Sequence, residues 1–401
     1  FLTNNLFYSM KITFITPVFP HPKQGVYPGI ERFVKNIALS IKDLGHDVKI
    51  LTTYWNGGKK EDSYRTIPIR RIRDSKSFIG KLGSICSLNY YSFGFNSFTK
   101  RNYNFYSDSD IIVLPLAIGF NFIFKLKKIP VVSFFYHHDS PASFRDYLYL
   151  PFYDRLIKKQ IKRYDNVIIR SDLARYELSK FYGYGDKNIS LITSAVDMEK
   201  FNPNKKDPKI KDKFGDNILL YLGPFFKRKQ IPILLKAMPN VIKEFPNVHL
   251  LLIGDGEPEI LNYCKNLTFE LKIQNNITFL GFVDDEEIPK YYASSDIFVF
   301  PSELEGFGAV MIEAMASGTP VICANRKPMS TIVENGGIMF EVNDPKDLSK
   351  KIVSLLKNRE RITELRENAI EVAKKYDVSN IAKQYIKLFK KILEKQKESS
   401  K

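Results

Sequence analysis

The chain has 401 residues, 44% of them hydrophobic, which exceeds what one core usually organises and supplies enough apolar material for two. Its 61 Lys and Arg against 44 Asp and Glu leave a formal net charge of +17, favouring an anionic partner; interspersed acids and the lack of any helix-turn-helix, zinc-finger or aromatic RNA-binding signature argue against nucleic acid. Cys86, Cys264 and Cys323 lie far apart, without the paired spacing of a zinc site, and fit a reducing compartment.

Phe1 to Ser9 lack a charged segment ahead of an apolar one, so no signal peptide is expected and Met10 is read as the natural start. Short apolar runs then alternate with segments of helical period: Lys11–Thr16, Ile30–Leu44, Val48–Thr53, Ile111–Leu114, Val131–Phe135 and Asn166–Ile169. This is the rhythm of parallel βα units. The apolar stretch Ile111 to Phe124 is broken by Pro115, Gly119 and Asn121 and falls short of the roughly 20 residues that span a bilayer, so it reads as a buried strand entering a helix. Asn202–Asp216, lysine-rich and broken by Pro203 and Pro208, reads as a linker. The βα rhythm resumes with Ile218–Leu222, Val248–Ile253, Ile277–Leu280, Ile297–Phe300 and Pro320–Cys323. Beyond Asp344 the pattern is helical, ending in a stripe of Ile381, Tyr385, Leu388 and Ile392 that calls for a docking surface. The expected organisation is two doubly wound α/β domains, residues 1–200 and 201–380, with a final helix over 381–401. Ligands of open parallel sheets bind beyond the strands' carboxyl ends, so two binding edges on a shared cleft are expected.

Several segments following these strands carry chemistry. Pro301-Ser302-Glu303-Leu304-Glu305-Gly306-Phe307-Gly308 leaves a strand and enters a helix, and its glycines let backbone approach a ligand near a helix amino terminus. An ordinary βα turn with surface acids is the plainer alternative. Glu313, among Val310, Met311, Ile312, Ala314 and Met315, sits where an unpaired carboxylate is costly, so a hydroxyl-rich partner is expected. Lys227-Arg228-Lys229, after the strand ending at Leu222, invites a diphosphate, although a basic run is more often a solvated face. Pro28-Gly29-Ile30-Glu31-Arg32 opens a helix, and Gly45-His46 is a turn rather than a ligand. His137 and His138 follow the strand Val131–Phe135, where an imidazole can donate to a sugar hydroxyl or carry a proton. Gly254-Asp255-Gly256 lacks the third glycine of a dinucleotide fingerprint, which disfavours NAD. Asp108-Ser109-Asp110 precedes a strand instead of following one, so no metal is expected. Lys158, Lys159, Lys162 and Arg163 beside Leu156 and Ile157, with the basic and aromatic stretch Lys76 to Tyr106, suit an anionic membrane surface; solvated lysines over core aromatics account for them equally well.

Over nearly its whole length the sequence resembles the retaining glycosyltransferases of family 4, which have the GT-B fold of two Rossmann-like domains. Glu305 and Glu313 meet the family's E-x7-E signature, and Asp296–Pro301 and Ala314–Pro320 match around it. The resemblance implies that Glu305 sits by the donor sugar, Glu313 binds the ribose, and the backbone of Gly306, Phe307 and Gly308 lies against the donor. It implies Lys229 on the diphosphate; the family's arginine is Pro224 here, leaving Arg228 or Lys227 to take its place. It further implies an acceptor-side loop at Gly29, where Pro28 replaces a glycine, and a sugar contact from His138. Val196, Asp197, Phe201 and Pro203 match a conserved turn read as hinge and fold support, and the last helix is expected to cross back to the first domain. The implied activity is metal-independent, cofactor-free transfer with retention from a UDP- or GDP-sugar to a glycan or lipid-linked acceptor, in the cytoplasm or peripherally on the inner face of the cell membrane. A hydrolase is disfavoured, because retaining glycosidases hold their carboxyls about 5–5.5 Å apart and Glu305 and Glu313 should be farther. An inactive sugar- or lipid-binding scaffold stays open through the departures at Pro28, Pro224 and Ser194-Ala195.

Overall fold

The computed structural model describes residues 9–16, 19, 29–53, 59–72, 102–115, 129–136, 154–155, 157–159 and 161–399. They form two compact units, residues 1–193 with 379–401, and residues 194–378.

The first unit is built on strands β1 (Lys11–Ile15), β2 (Asp47–Thr53), β3 (Glu61–Tyr64), β4 (Ile67–Ile72), β5 (Ile111–Leu114), β6 (Val131–Phe135), β7 (Asn166–Ile169) and β8 (Ile189–Leu191), ordered β3-β4-β2-β1-β5-β6-β7-β8. Every neighbouring pair is parallel except β3 with β4. β5 and β7 are buried at every position, the signature of a parallel strand covered on both faces. The β3–β4 hairpin was not legible in the sequence. Its turn uses Arg65 and Thr66, both at positive φ, in place of the Gly or Asn that normally marks such a turn, and β3 is the polar edge segment EDSY. The helix that the sequence reading has Ile111 to Phe124 enter after its strand falls in residues 116–128, which lie outside the described residues.

The final helix, Val378–Ser399, belongs almost wholly to this first unit. Tyr385, 1% exposed, packs against Phe33 and Phe134 with ring centroids 6.1 and 5.9 Å apart, and Phe389 lies tilted against it at 6.1 Å. Ile381 and Ile392 of the same stripe are buried too.

In the second unit β9 (Asn217–Leu222), β10 (Val248–Ile253), β11 (Ile277–Gly281), β12 (Ile297–Phe300), β13 (Val321–Ala324) and β14 (Gly337–Phe340) form a sheet in the order β11-β10-β9-β12-β13-β14, all parallel. This is the doubly wound order, and its direction reverses between β9 and β12. Alternate side chains of these strands enter two cores, one headed by Leu219, Tyr221 and Leu250, the other by Leu220, Leu251 and Phe298. Helices start where side chains cap them: Asp344 accepts from the amides of Lys346 and Asp347 ahead of Pro345–Lys357, and Asp207 accepts from that of Lys209 ahead of Pro208–Phe214. The two stretches nearest the unit boundary run side by side, with Val196 donating to Tyr376 O at 2.9 Å and accepting from Val378 N at 2.9 Å. Asp197 caps the turn that follows, accepting from the amides of Glu199 and Lys200, and Phe201 buries its ring against Tyr292.

Asp296, just before β12, is the electrostatic anchor of this unit. Its side chain, 3% exposed, accepts from the Ile218 amide at 2.9 Å and meets Lys211 at 3.2 Å, Arg359 at 3.2 Å and Arg366 at 3.5 Å. One carboxylate thus ties β9, β12 and two helices together. Asp296→Ala should orphan the Ile218 amide and leave Lys211, Arg359 and Arg366 without their counter-charge, lowering stability by about 3 kcal/mol in denaturant titration without altering the far-ultraviolet spectrum of the native state.

Candidate active site

The carboxyl ends of β9 and β12 adjoin at the switch point of the second sheet, and the loops that leave them are 223–230 and 301–308. The first loop is pressed between glycines. A Cβ on Gly254 would lie 2.1 Å from Gly223 O, and one on Gly256 would lie 2.5 Å from Phe225 N. Gly223 N donates to Ile253 O, Phe225 N to Asp255 O and Glu257 N to Phe225 O, so sheet-like pairing of β9 with β10 continues into their loops. Gly254 and Gly256 therefore serve close backbone packing, which explains a partial dinucleotide fingerprint with a different purpose.

Lys227–Lys229 then form one 3-10 turn, and Gln230, at φ 52, caps the helix Ile231–Glu244. The basic turn thus sits on the positive end of a helix. Lys227 is exposed, whereas Lys229 is 6% exposed, its ammonium 5.1 Å from the centroid of the Phe300 ring. Burial pushes the Lys229 pKa below the usual lysine value, and Glu305 opposes that shift.

The second loop brings the carboxylate to this lysine. Glu305 Oε1 receives Lys229 Nζ at 2.5 Å, Ser302 Oγ at 2.5 Å and an Arg228 guanidinium nitrogen at 3.3 Å. Arg228 also donates to Leu304 O at 3.1 Å, and its own carbonyl accepts from Glu303 N at 2.8 Å. All three donors converge on one oxygen; Glu305 Oε2 receives no hydrogen bond from the described residues. The carboxylate is thereby held rigid while keeping an acceptor for another molecule. Glu303 is held separately, by Gln230 at 3.1 Å and Arg326 at 3.2 Å.

Gly308, at φ +95, turns the chain into the helix Ala309–Ala316. Phe307 points inward, 5% exposed and edge-on to Tyr376 at 5.8 Å, so of Gly306, Phe307 and Gly308 it contributes backbone alone to any ligand. Glu313, 7% exposed, accepts from the Tyr292 hydroxyl at 3.3 Å, which meets part of the burial cost that its apolar helix imposes.

Of the residues singled out in the sequence, Arg228, Lys229 and Glu305 are in direct contact, Gly306, Phe307 and Gly308 continue the same loop, and Glu313 is on the helix it enters. Between Arg228 and Lys227 as stand-ins for the arginine missing at Pro224, Arg228 is the one at Glu305. His138 lies outside the described residues. Gly29 is the first residue of the helix Gly29–Asp43 in the other unit. Sequence reasoning missed Ser302, fully buried and bonded to Glu305; its place directly after the strand-ending Pro301 was the available signal. Asp108 and Asp110 are spent on structure, the first on Lys49 and the second on the Lys11 amide, and among the described residues no group of three or more His, Cys, Asp or Glu could hold a metal ion.

A buried cation–carboxylate cluster at the switch point of a doubly wound sheet, in a chain with two such sheets, is the architecture of a GT-B glycosyltransferase. The family profile described as "Glycosyl transferases group 1" matches residues 203–376, and that described as "Glycosyltransferase Family 4" matches residues 27–200. The chain belongs to the family 4 glycosyltransferases. It is 30% identical to spore coat protein SA of Bacillus subtilis over 212 residues, covering 49% of this chain and 56% of that protein. The chain spans little more than half the length of the curated relatives it matches. Sucrose-phosphate synthase from Thermosynechococcus elongatus shares the fold with a TM-score of 0.78 at 20% identity, over 95% of this chain and 99% of that one. The Anabaena protein HepE in complex with UDP-glucose does so with a TM-score of 0.73 at 20% identity, over 95% and 100%.

The ion pair yields a prediction in which sign matters. Glu305→Gln removes the charge that keeps Lys229 protonated in its buried position, so near neutral pH the variant should be less stable by about 2–3 kcal/mol. Its Lys229 then deprotonates in the folded state at a lower pH, while the unfolded chain still binds that proton up to the usual lysine value of 10.5. In that window the unfolded state holds more protons, so stability rises with pH, and denaturant titrations from neutral to about pH 10 should show the deficit shrinking.

Proposed function

We propose that the chain transfers a sugar, with retention of anomeric configuration, from a UDP- or GDP-linked donor to a glycan or lipid-linked acceptor. The observation that carries this reading is the Glu305 carboxylate, tied through one oxygen to Lys229, Arg228 and Ser302 with its second oxygen open. Glycosyl transfer needs a leaving diphosphate and a cationic sugar stabilised side by side. Lys229 and Arg228, over the amino end of the helix Ile231–Glu244, supply preorganised positive charge for the diphosphate, work that a metal performs elsewhere. Glu305 Oε2 accepts a hydroxyl of the donor sugar, Glu313 takes the ribose, and the backbone of 306–308 lies along the sugar. His138 holds a sugar hydroxyl, and the loop at Gly29 serves the acceptor side. The HepE complex with UDP-glucose, in the same fold, supports a nucleotide-sugar donor.

The reaction takes place, in this reading, in the cytoplasm at the inner face of the cell membrane. Among the described residues no helix is long and apolar enough to cross a membrane. Lys158, Lys159, Lys162 and Arg163 are exposed, and Ile157 beside them is 2% exposed and belongs to the core; Leu156 and residues 76–101 of the basic and aromatic stretch lie outside the described residues. Neutralising Lys158, Lys159 and Lys162 should release the protein from the membrane fraction; a wild type that is fully soluble at low salt would remove this part of the reading.

Thermal denaturation with UDP, GDP, ADP and their sugars tests the donor site. A cognate nucleotide at about one hundred times its dissociation constant should stabilise the fold by about 2.7 kcal/mol, and Lys229→Ala and Glu313→Ala should each abolish the shift. Absence of any shift would refute the reading. Donor turnover separates an enzyme from a binding scaffold, and the anomeric configuration of the product tests retention.

A further inference from the structure

A second feature lies in the first unit, at the edge of its sheet opposite the strands' carboxyl ends. A cavity of about 490 Å³ opens where β7 and β8 begin, between residues 162–166, residues 187–190 and the final helix. Lys162, Arg163, Lys187, Lys391 and Lys395 line it, against a single acid, Asp165. That acid is already engaged, accepting from the Val131 amide at 2.7 Å, and burial raises its pKa. Lys162, Arg163, Lys187 and Lys391 make no ion pair among the described residues. Asn166, 7% exposed, also lines the cavity, and its side-chain oxygen has no hydrogen-bond partner.

An accumulation of unpaired cations around a concave space is repulsive by itself, and an amide buried without a partner is costly. Both are relieved by one small molecule that joins a multiply charged anion, accepting from several donors, to a hydroxyl that donates to the Asn166 oxygen. We infer that this cavity is a binding site for a phosphate monoester. The dianion neutralises more of the lining than a carboxylate does, the Arg163 fork and lysine ammoniums match its oxygens, and the Asn166 side-chain oxygen accepts from a hydroxyl on the esterified alcohol. The space suits one phosphorylated group and not a polymer. The site is separate in sequence and in unit from Lys229 and Glu305.

Two sources share this chemistry, a soluble phosphorylated metabolite and a phosphomonoester lipid headgroup. Inorganic phosphate titrated into the full chain, with chloride at matched ionic strength as control, should slow amide hydrogen exchange in residues 187–192 and 388–396. The double variant Lys187→Glu, Lys391→Glu should weaken that protection at least about tenfold while keeping its stabilisation by nucleotide, which reports on the other unit. Flotation with phosphatidylcholine vesicles carrying phosphatidic acid, competed by phosphate and lost in the double variant, assigns the headgroup; phosphate protection without flotation assigns the soluble ligand. Protection equal in chloride, or undiminished in the double variant, overturns the site.

Discussion

A lysine nine-tenths buried must be answered by a negative charge, and in this protein that requirement joins two loops far apart in sequence. Lys229 and Glu305 meet at 2.5 Å beneath the Phe300 ring, and the carboxylate supplies the charge that favours a protonated Lys229 there. The pair fixes the loop after β9 against the loop after β12, at the point where the sheet reverses its winding. Hydrogen bonds from Ser302 and Arg228 to the same carboxylate oxygen make the attachment rigid. A polar cluster of this kind costs desolvation in the resting protein and is ready to offer that charge to a ligand without reorganising.

The glycines show a different constraint, set by backbone packing. Gly254 and Gly256 have no room for a side chain because the backbone of Gly223 to Phe225 passes against them. The β9 loop is therefore supported from behind by β10, which holds the basic turn at 227–229 in place. What reads in sequence as half of a dinucleotide fingerprint is a scaffold for the neighbouring loop.

Legibility in the sequence followed burial. Strands covered on both faces, such as β5, β7 and β12, announce themselves as unbroken apolar runs, and their ends were readable to within about a residue. The edge elements were not: β3 is polar, β8 has three residues, and Arg65 and Thr66 occupy a turn that usually carries glycine. Glu305, Lys229 and Glu313 stood out because charged residues in apolar or glycine-rich surroundings need an explanation. Ser302 did not, since a serine after a strand is unremarkable until its hydroxyl is seen on a carboxylate. Tyr292 was invisible for the same reason: its contact with Glu313 spans 21 residues, and only packing brings them together.

The net charge of +17 was the least specific signal, and the structure shows why. In the second unit many cations are consumed internally: Asp296 takes Lys211, Arg359 and Arg366, Asp285 takes Lys200, and Glu305 takes Lys229 and Arg228. Those charges are structural or belong to one site, and they contribute little to the long-range field. Among the described residues, Lys162, Arg163, Lys187 and Lys391 make no ion pair and line the cavity where β7 and β8 begin. Overall charge therefore conflates two populations with different uses, and only their pairing distinguishes cations that build the fold from those available to an anion.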